Sequence, residues 1–218
     1  MIQLERLLTI RVYDMNLNFS EFSPNQRYHL MTQTIIPRPI AWALTDSSNG
    51  QFNLAPFSYF TAVSSAPPIL MISLGNKPNG DKKDTLVNVV NTKKMVIHIA
   101  SDQDAAVVTQ TAETLPHGES ELTKSALKTV AFDNFSLPRL ANCDIAYGCE
   151  LYEIKELGDV PQSLIFVEIK QLYINDNAIE LDAKQRITVH ADKVNPLARL
   201  GGGEFATINK PFSIARPK

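Results

Sequence analysis

Three short stretches of this 218-residue chain carry side chains that could hold a small molecule. The run K-K-D-T-L-V-N-V-V at 82–90 sets Lys82, Lys83 and Thr85 at the start of an apparent helix. The first turn of a helix presents unpaired N–H groups and a partial positive charge. Two ammonium groups and a hydroxyl beside it suit a phosphate monoester. Taken alone, the same run also reads as an ordinary capped and solvated helix start. The run N-L-A-P-F-S-Y-F at 53–60 offers the directional amide of Asn53 and the hydroxyl of Ser58, on a loop stiffened by Pro56. Phe57, Tyr59 and Phe60 add aromatic surface for a planar ring. Alone, this too has a plainer reading, an aromatic core loop. In I-P-R-P-I-A-W-A-L at 36–44, Pro37 and Pro39 flank Arg38, which holds the segment extended and outside any central ladder.

The elements that must position these residues are mostly strands. Residues 40–45 (IAWALT) read as a strand, and 46–50 (DSSNG) as a hairpin turn carried by Asn49-Gly50, with an extended path resuming over 51–55. The apolar run 69–74 (ILMISL) after Pro67-Pro68 reads as a buried strand, and 75–81 as a polar loop. Asp84 can cap a helix over 85–91. Residues 95–100 form a further strand, Ser101 or Asp102 caps a helix through about 114, and 121–128 form a short helix. Segments 144–155 and 164–174 look paired across the loop at 158–161, with Ile165, Val167 and Ile169 on one face. Residues 28–31 read as a short helical turn, and residues 1–22 as an N-terminal arm preceding one domain over 23–218. Helices that fill a central insertion among strands suit a mainly β barrel better than a βαβ sheet.

Other chemistries are set aside on spacing. The loop from Gly75 to Lys82 approaches a P-loop, but Asp81 follows Gly80 and displaces the lysine. Gly201-Gly202-Gly203 lacks the register of a dinucleotide fingerprint; it is either a flexible turn or a close backbone approach to a flat ligand. His117 and Glu119 form an H-x-E without the later P-C-x-x-C of zinc deaminases. His29, His98 and His190 are isolated, and His98 in its apolar strand reads as a satisfied core histidine. Cys143 and Cys149, about 20 Å apart on an extended segment, cannot form a disulfide and read as small hydrophobes. We expect no metal site and no nucleophile triad. A net charge of -2 without a basic cluster argues against nucleic acid, and no apolar run is long enough to span a membrane. With no signal-peptide pattern at the N-terminus, cytoplasm is the expected location.

Taken together, the stretches are less ordinary. P-R-P-I-A-W, N-L-A-P-F-S-Y-F, P-P and K-D-T occur in this order, followed by L-P-R at 137–139 and L-x-R-L-G-G-G-E-F at 197–205. This pattern resembles the flavin reductase-like, FMN-binding split-barrel family from about Tyr28 to Phe205. The resemblance implies a six-stranded Greek-key split barrel with helical insertions. It also implies a homodimer, with FMN in a groove at or near the subunit interface. By motif, Arg38, Pro39, Ile40 and Ala41 would line the flavin edge, partly through backbone. Asn53, Ala55, Pro56, Ser58, Tyr59 and Phe60 would contact the ring and ribityl chain. Ser73, Lys83, Asp84 and Thr85 would hold the phosphate end. Gly202, Gly203 and Phe205 would approach the ring; family members often carry Tyr where Phe205 stands, so a hydroxyl is lost.

The implied activity is NAD(P)H-dependent reduction of flavin or another small acceptor. No catalytic side chain is named, because the cofactor carries the chemistry. Two rivals share the motifs: an FMN-binding electron-transfer protein of flavoredoxin type without nicotinamide activity, and a barrel that has kept the fold and lost the flavin.

Overall fold

The computed structural model describes residues 15–47, 50–116, 119–208, 210–215 and 217. Most of the N-terminal arm, Asn49 of the hairpin turn and His117 therefore lie outside the described residues. The chain opens with α1 (Pro24–Thr34) and five strands, β1 (Arg38–Pro39), β2 (Ala41–Asp46), β3 (Phe52–Phe57), β4 (Phe60–Ser65) and β5 (Pro68–Leu74). Then come α2 (Asp84–Thr92), β6 (Lys94–Ile99), α3 (Ala105–Gln110) and α4 (Glu121–Ser125). Next are β7 (Thr129–Phe132), β8 (Phe135–Leu140), β9 (Ile145–Leu157) and β10 (Gln162–Ile174). The chain finishes with β11 (Ile179–Leu181), β12 (Ile187–Val189), α5 (Ala191–Val194), β13 (Ala198–Arg199) and β14 (Phe205–Ala206). Among these residues no helix is long and apolar enough to cross a membrane.

Seven strands form one antiparallel sheet in the order β3-β2-β6-β9-β10-β5-β4. The six strands implied by the resemblance become seven because residues 60–65 continue the aromatic motif as β4, which pairs with β5. Side-chain alternation along β2 divides the core. Trp42 and Leu44 join a cluster with Val96, Leu140 and Leu197, whereas Ala41 and Ala43 join another with Ile72, Ile97 and Ile165. Phe57 of β3 and Leu70, Ile72 and Leu74 of β5 share that second cluster although their strands stand far apart in the sheet. A sheet whose distant strands bury one common face must curl on itself, so the β-rich sequence closes as a barrel. β9 and β10 pair from Leu157↔Gln162 to Ile145↔Ile174, and Ile165, Val167 and Ile169 all face this interior.

Several local expectations shift. The aromatic motif is not a loop: residues 52–57 are strand β3, and Pro56 is tolerated there because β3 lies at the sheet edge. α1 runs for 11 residues rather than one turn, started by a capping box in which Ser23 and Gln26 exchange hydrogen bonds, with Pro24 in the first turn. The cap of α2 is Lys83; Asp84 is its first residue and pairs with Lys77 at 2.7 Å. The helix expected to reach residue 114 ends at Gln110, since Thr111 turns inward to accept a hydrogen bond from Trp42 Nε1 at 2.9 Å. Cys143 and Cys149 are both free and buried.

His98 is fully buried as a neutral ring. Nδ1–H donates to Trp42 O at 3.0 Å and Nε2 accepts from Leu140 N–H at 2.9 Å. Burial pulls its pKa from 6.5 to about 4, with the Arg139 charge adding to the shift and the Trp42 carbonyl opposing it. The unfolded ring binds a proton more readily than the folded one. Its contribution to stability is therefore complete above pH 6.5 and is lost as pH falls towards 4, by about 3 kcal/mol. We expect the His98 ring resonances in an NMR titration to stay unchanged from pH 8 to 5. A midpoint near 6.5 would contradict the buried neutral tautomer.

Candidate functional site

The three chemistry-bearing stretches converge because β3, the β3–β4 turn, the C-terminal half of β5 and the start of α2 all meet on one side of the barrel. They line three neighbouring hollows, each sharing wall residues with the next. The first, about 120 Å³, is bounded by Asn53, Ala55 and Pro56 of β3, by the cap Lys83 and the first two residues of α2, Asp84 and Thr85, and by the segment after α3. The second, about 770 Å³, shares Pro56 and Lys83 with the first and adds Ser58, Tyr59 and Ser73. The third, about 500 Å³, shares Ser58, Tyr59 and Ser73 and ends against Arg38, Pro39 and Phe60. Its remaining wall is mostly apolar, with Met31, Ile35, Met71 and Leu164 beside Thr61. The cleft thus runs from a cationic helix start to an apolar end.

The polar end is held by side chains that also bind each other. Asn53 Nδ2 donates to Thr85 Oγ1 at 3.0 Å, tying β3 to the first turn of α2, and both residues are buried. Lys83 Nζ sits 5.9 Å from the centre of the Phe57 ring. Burial lowers the Lys83 pKa, the nearby Lys77 charge lowers it further, and Asp84 opposes both. Lys82, the other cation of the motif, turns away to Glu156 at 2.5 Å. In the middle of the cleft, the Tyr59 hydroxyl is buried without a hydrogen-bond partner among the described residues. Burial raises its pKa, the Tyr28 hydroxyl raises it further, and Arg38 opposes.

Five of the residues named from the motifs stand apart from the walls of this cleft, and one wall residue is already engaged. Ile40 and Ala41 are 4% and 0% exposed and their side chains belong to the two core clusters, so both are packed into the barrel rather than set in the cleft wall. The Arg38 guanidinium is turned into the chain, donating to the carbonyls of Thr32, Ile35 and Leu200 and to Ser58 Oγ. Gly202, at φ +57°, and Gly203 are exposed in the turn between β13 and β14, beside a separate depression. The close approach in that turn is made by Gly201, where a Cβ would collide with Gln33 of α1. Phe205 packs on the Trp42 cluster with the Arg199 guanidinium 4.6 Å above its ring.

Tyr28, Met31, Lys77 and Glu121 are among the wall residues not anticipated from sequence. Tyr28 and Met31 lie one helical turn apart on α1, an i, i+3 pair that a longer helix reading would have put on one face. Lys77 and Glu121 reach the small hollow from separate segments, and nothing in their spacing announces it. Among the described residues no His, Cys, Asp and Glu side chains gather to hold a metal ion. The donor set instead fits a flavin nucleotide: a lysine and helix start for a phosphate, an aromatic and Pro-braced middle for a flat ring, and an orphaned hydroxyl along its edge.

Comparison with known proteins points the same way. Residues 31–191 match the sequence family described as flavin reductase like domain. The uncharacterized protein YwrF of Bacillus subtilis (strain 168) is 31% identical over 201 residues, spanning 90% of this chain and 96% of YwrF. The crystal structure of nitrilotriacetate monooxygenase component B from Bacillus cereus superposes with a TM-score of 0.82 at 30% identity, covering 92% of this chain and 98% of that one. The 2-nitrobenzoate 2-nitroreductase NbaA of Pseudomonas fluorescens gives a TM-score of 0.82 at 27% identity, covering 93% and 96%.

Proposed function

Because the chain belongs to the flavin reductase-like family, a split-barrel family with flavin-related redox function, we propose that it binds FMN non-covalently and oxidises NADPH or NADH to reduce a small acceptor. The observation that carries this reading is the row of hollows with shared walls that leads from Lys83 and Thr85, past Pro56, Ser58, Tyr59 and Ser73, to Pro39. The names of two similar structures, a monooxygenase component and a nitroreductase, support a redox role in which small molecules are the acceptors.

In this reading Lys83, the N–H groups of the first turn of α2 and Thr85 bind the phosphate, and Asn53 keeps Thr85 oriented. Pro56, Ser58 and Tyr59 brace the ring, and the Tyr59 hydroxyl gains the partner it lacks. Bound flavin supplies the redox chemistry, accepting hydride from a nicotinamide and returning electrons to the acceptor. The protein holds the ring, excludes water from one face and leaves the other open. A homodimer would complete the groove on the side of β4, whose residues 61–65 are exposed in one chain.

The test is an absorbance spectrum of the purified protein loaded with FMN, taken before and after anaerobic NADPH or NADH. A yellow protein that bleaches within its turnover time supports the proposal. A protein that cannot be loaded with FMN ends it. One that loads but bleaches only with a protein reductant is an electron carrier instead.

A further inference from the structure

The smallest hollow holds a charge that does not suit its proposed occupant. Its charged wall residues are Lys77 and Lys83 against Asp84, Glu113 and Glu121, two cations to three anions. Lys77 is already engaged by Asp84 at 2.7 Å, with both side chains largely shielded from solvent. Glu113 is at the rim, its side chain 60% exposed and facing Lys124 at 3.7 Å. Glu121 is different: it is only 6% exposed, and no ion pair involves it among the described residues.

Its position follows from the sheet. β3 is an edge strand, so the outward N–H and C=O groups of Phe52 and Leu54 need partners. The start of α4 supplies them: Ser120 Oγ donates to Phe52 O at 2.6 Å, and Glu121 Oε2 accepts from Leu54 N–H at 2.9 Å. Asn53, between these two anchor points, is the residue whose amide orients Thr85. A carboxylate is thereby fixed in the wall of the compartment meant for a phosphate. Burial raises its pKa, the charge of Asp84 raises it further, and the Leu54 hydrogen bond and Lys77 oppose.

A phosphate dianion entering here meets one uncommitted lysine and one buried carboxylate. Like charges in a poorly hydrated site cannot both persist, and the cheapest relief is a proton. Resting on the phosphate placement proposed above, we infer that Glu121 takes up a proton from solvent when a phosphate monoester binds beside Lys83, so that cofactor binding is coupled to proton uptake. The proton goes to the oxygen not engaged by Leu54, and the Leu54 hydrogen bond survives because a neutral carboxyl still accepts it. Glu121 acts on affinity, making the site hold FMN tightly at low pH and release it at high pH.

The experiment is isothermal titration of the full-length, flavin-free protein with FMN and with riboflavin, at pH 7 to 8, in buffers of different ionisation enthalpy. The phosphate of FMN is already a dianion in this range, so its own titration contributes little. Wild-type protein should take up a proton with FMN and none with riboflavin. Its Kd for FMN should rise by up to tenfold per pH unit. Glu121→Gln keeps an acceptor for Leu54, and should abolish the uptake and flatten the pH dependence. Uptake that persists unchanged in Glu121→Gln overturns the inference, and so does a wild-type protein that prefers FMN over riboflavin yet takes up no proton. Should Glu121→Gln fail to fold, the wild-type comparison of the two flavins decides alone. Equal affinity for FMN and riboflavin would instead refute the phosphate placement itself.

Discussion

Lys83→Ala is expected to weaken FMN binding by about 10- to 100-fold and to leave riboflavin binding within about a factor of two. A hydrogen bond between an ammonium and a phosphate is worth about 1.5–3 kcal/mol, and 1.4 kcal/mol is a factor of ten in affinity. Lys83 is the cation on which this falls. Lys82 is drawn off to Glu156 and Lys77 is paired with Asp84, whereas Lys83 lines both the small hollow and the large one. The substitution removes no side-chain hydrogen bond among the described residues, because Lys83 caps α2 without one. The melting temperature should hardly move. Adding Thr85→Ala deepens the loss of affinity and also costs about 1 kcal/mol of stability, since Asn53 Nδ2 then loses its buried acceptor. Fluorescence titration of both flavins against both variants is the measurement. FMN affinity unchanged in the double variant would mean that the phosphate does not lie at the start of α2, and the cleft would need another occupant.

What could be read from the sequence follows the range of the interactions involved. The β2–β3 hairpin and the β9–β10 pair are encoded by local alternation and turn residues, and both form where expected. Lys83 and Thr85 at a helix start were legible for the same reason. The wall made by α1 was less so. Only Thr32 of that helix is buried, so the segment shows no apolar stripe, and its strongest signal, the exchange between Ser23 and Gln26, is a capping box of polar residues. Tertiary encounters left no trace in spacing. Lys77 meets Asp84 across a loop, Glu121 reaches β3 from 67 positions away, and Phe57 joins β5 only because the sheet curls. The motif 53–60 was recognisable as a pattern, yet its conformation was not. Pro56 suggests a loop until the strand containing it proves to lie at the sheet edge.

Arg38 separates ligand binding from fold most sharply, and Arg38→Met is expected to destabilise the protein by about 3 kcal/mol or more. Arg38 is 5% exposed. Its guanidinium reaches Ile35 O and Leu200 O at 2.8 Å each, Ser58 Oγ at 3.4 Å, and Thr32 O as well. Thr32 and Ile35 lie at the C-terminal end of α1, where carbonyls lack partners and carry partial negative charge, so the guanidinium caps that helix. Leu200 O belongs to the turn between β13 and β14, and β1 pairs with β13 through Arg38↔Arg199. One planar cation therefore joins a helix, a hairpin and the Ser58 turn of the cleft, a geometry that the single ammonium of Arg38→Lys could not span. Methionine of similar length fills the space but strands the buried carbonyl of Thr32, at about 1–3 kcal/mol, and the half-buried carbonyls of Ile35 and Leu200, which water reaches in part and which cost less. For a chain of this size the melting temperature should fall by about 6–12 °C, and limited proteolysis should cut first near α1. FMN affinity should fall only modestly, through a loosened Ser58. The opposite pattern, unchanged melting with abolished FMN binding, would mean that the guanidinium serves the flavin directly, as the motif resemblance alone suggests, and that its bonds to α1 carry little of the fold.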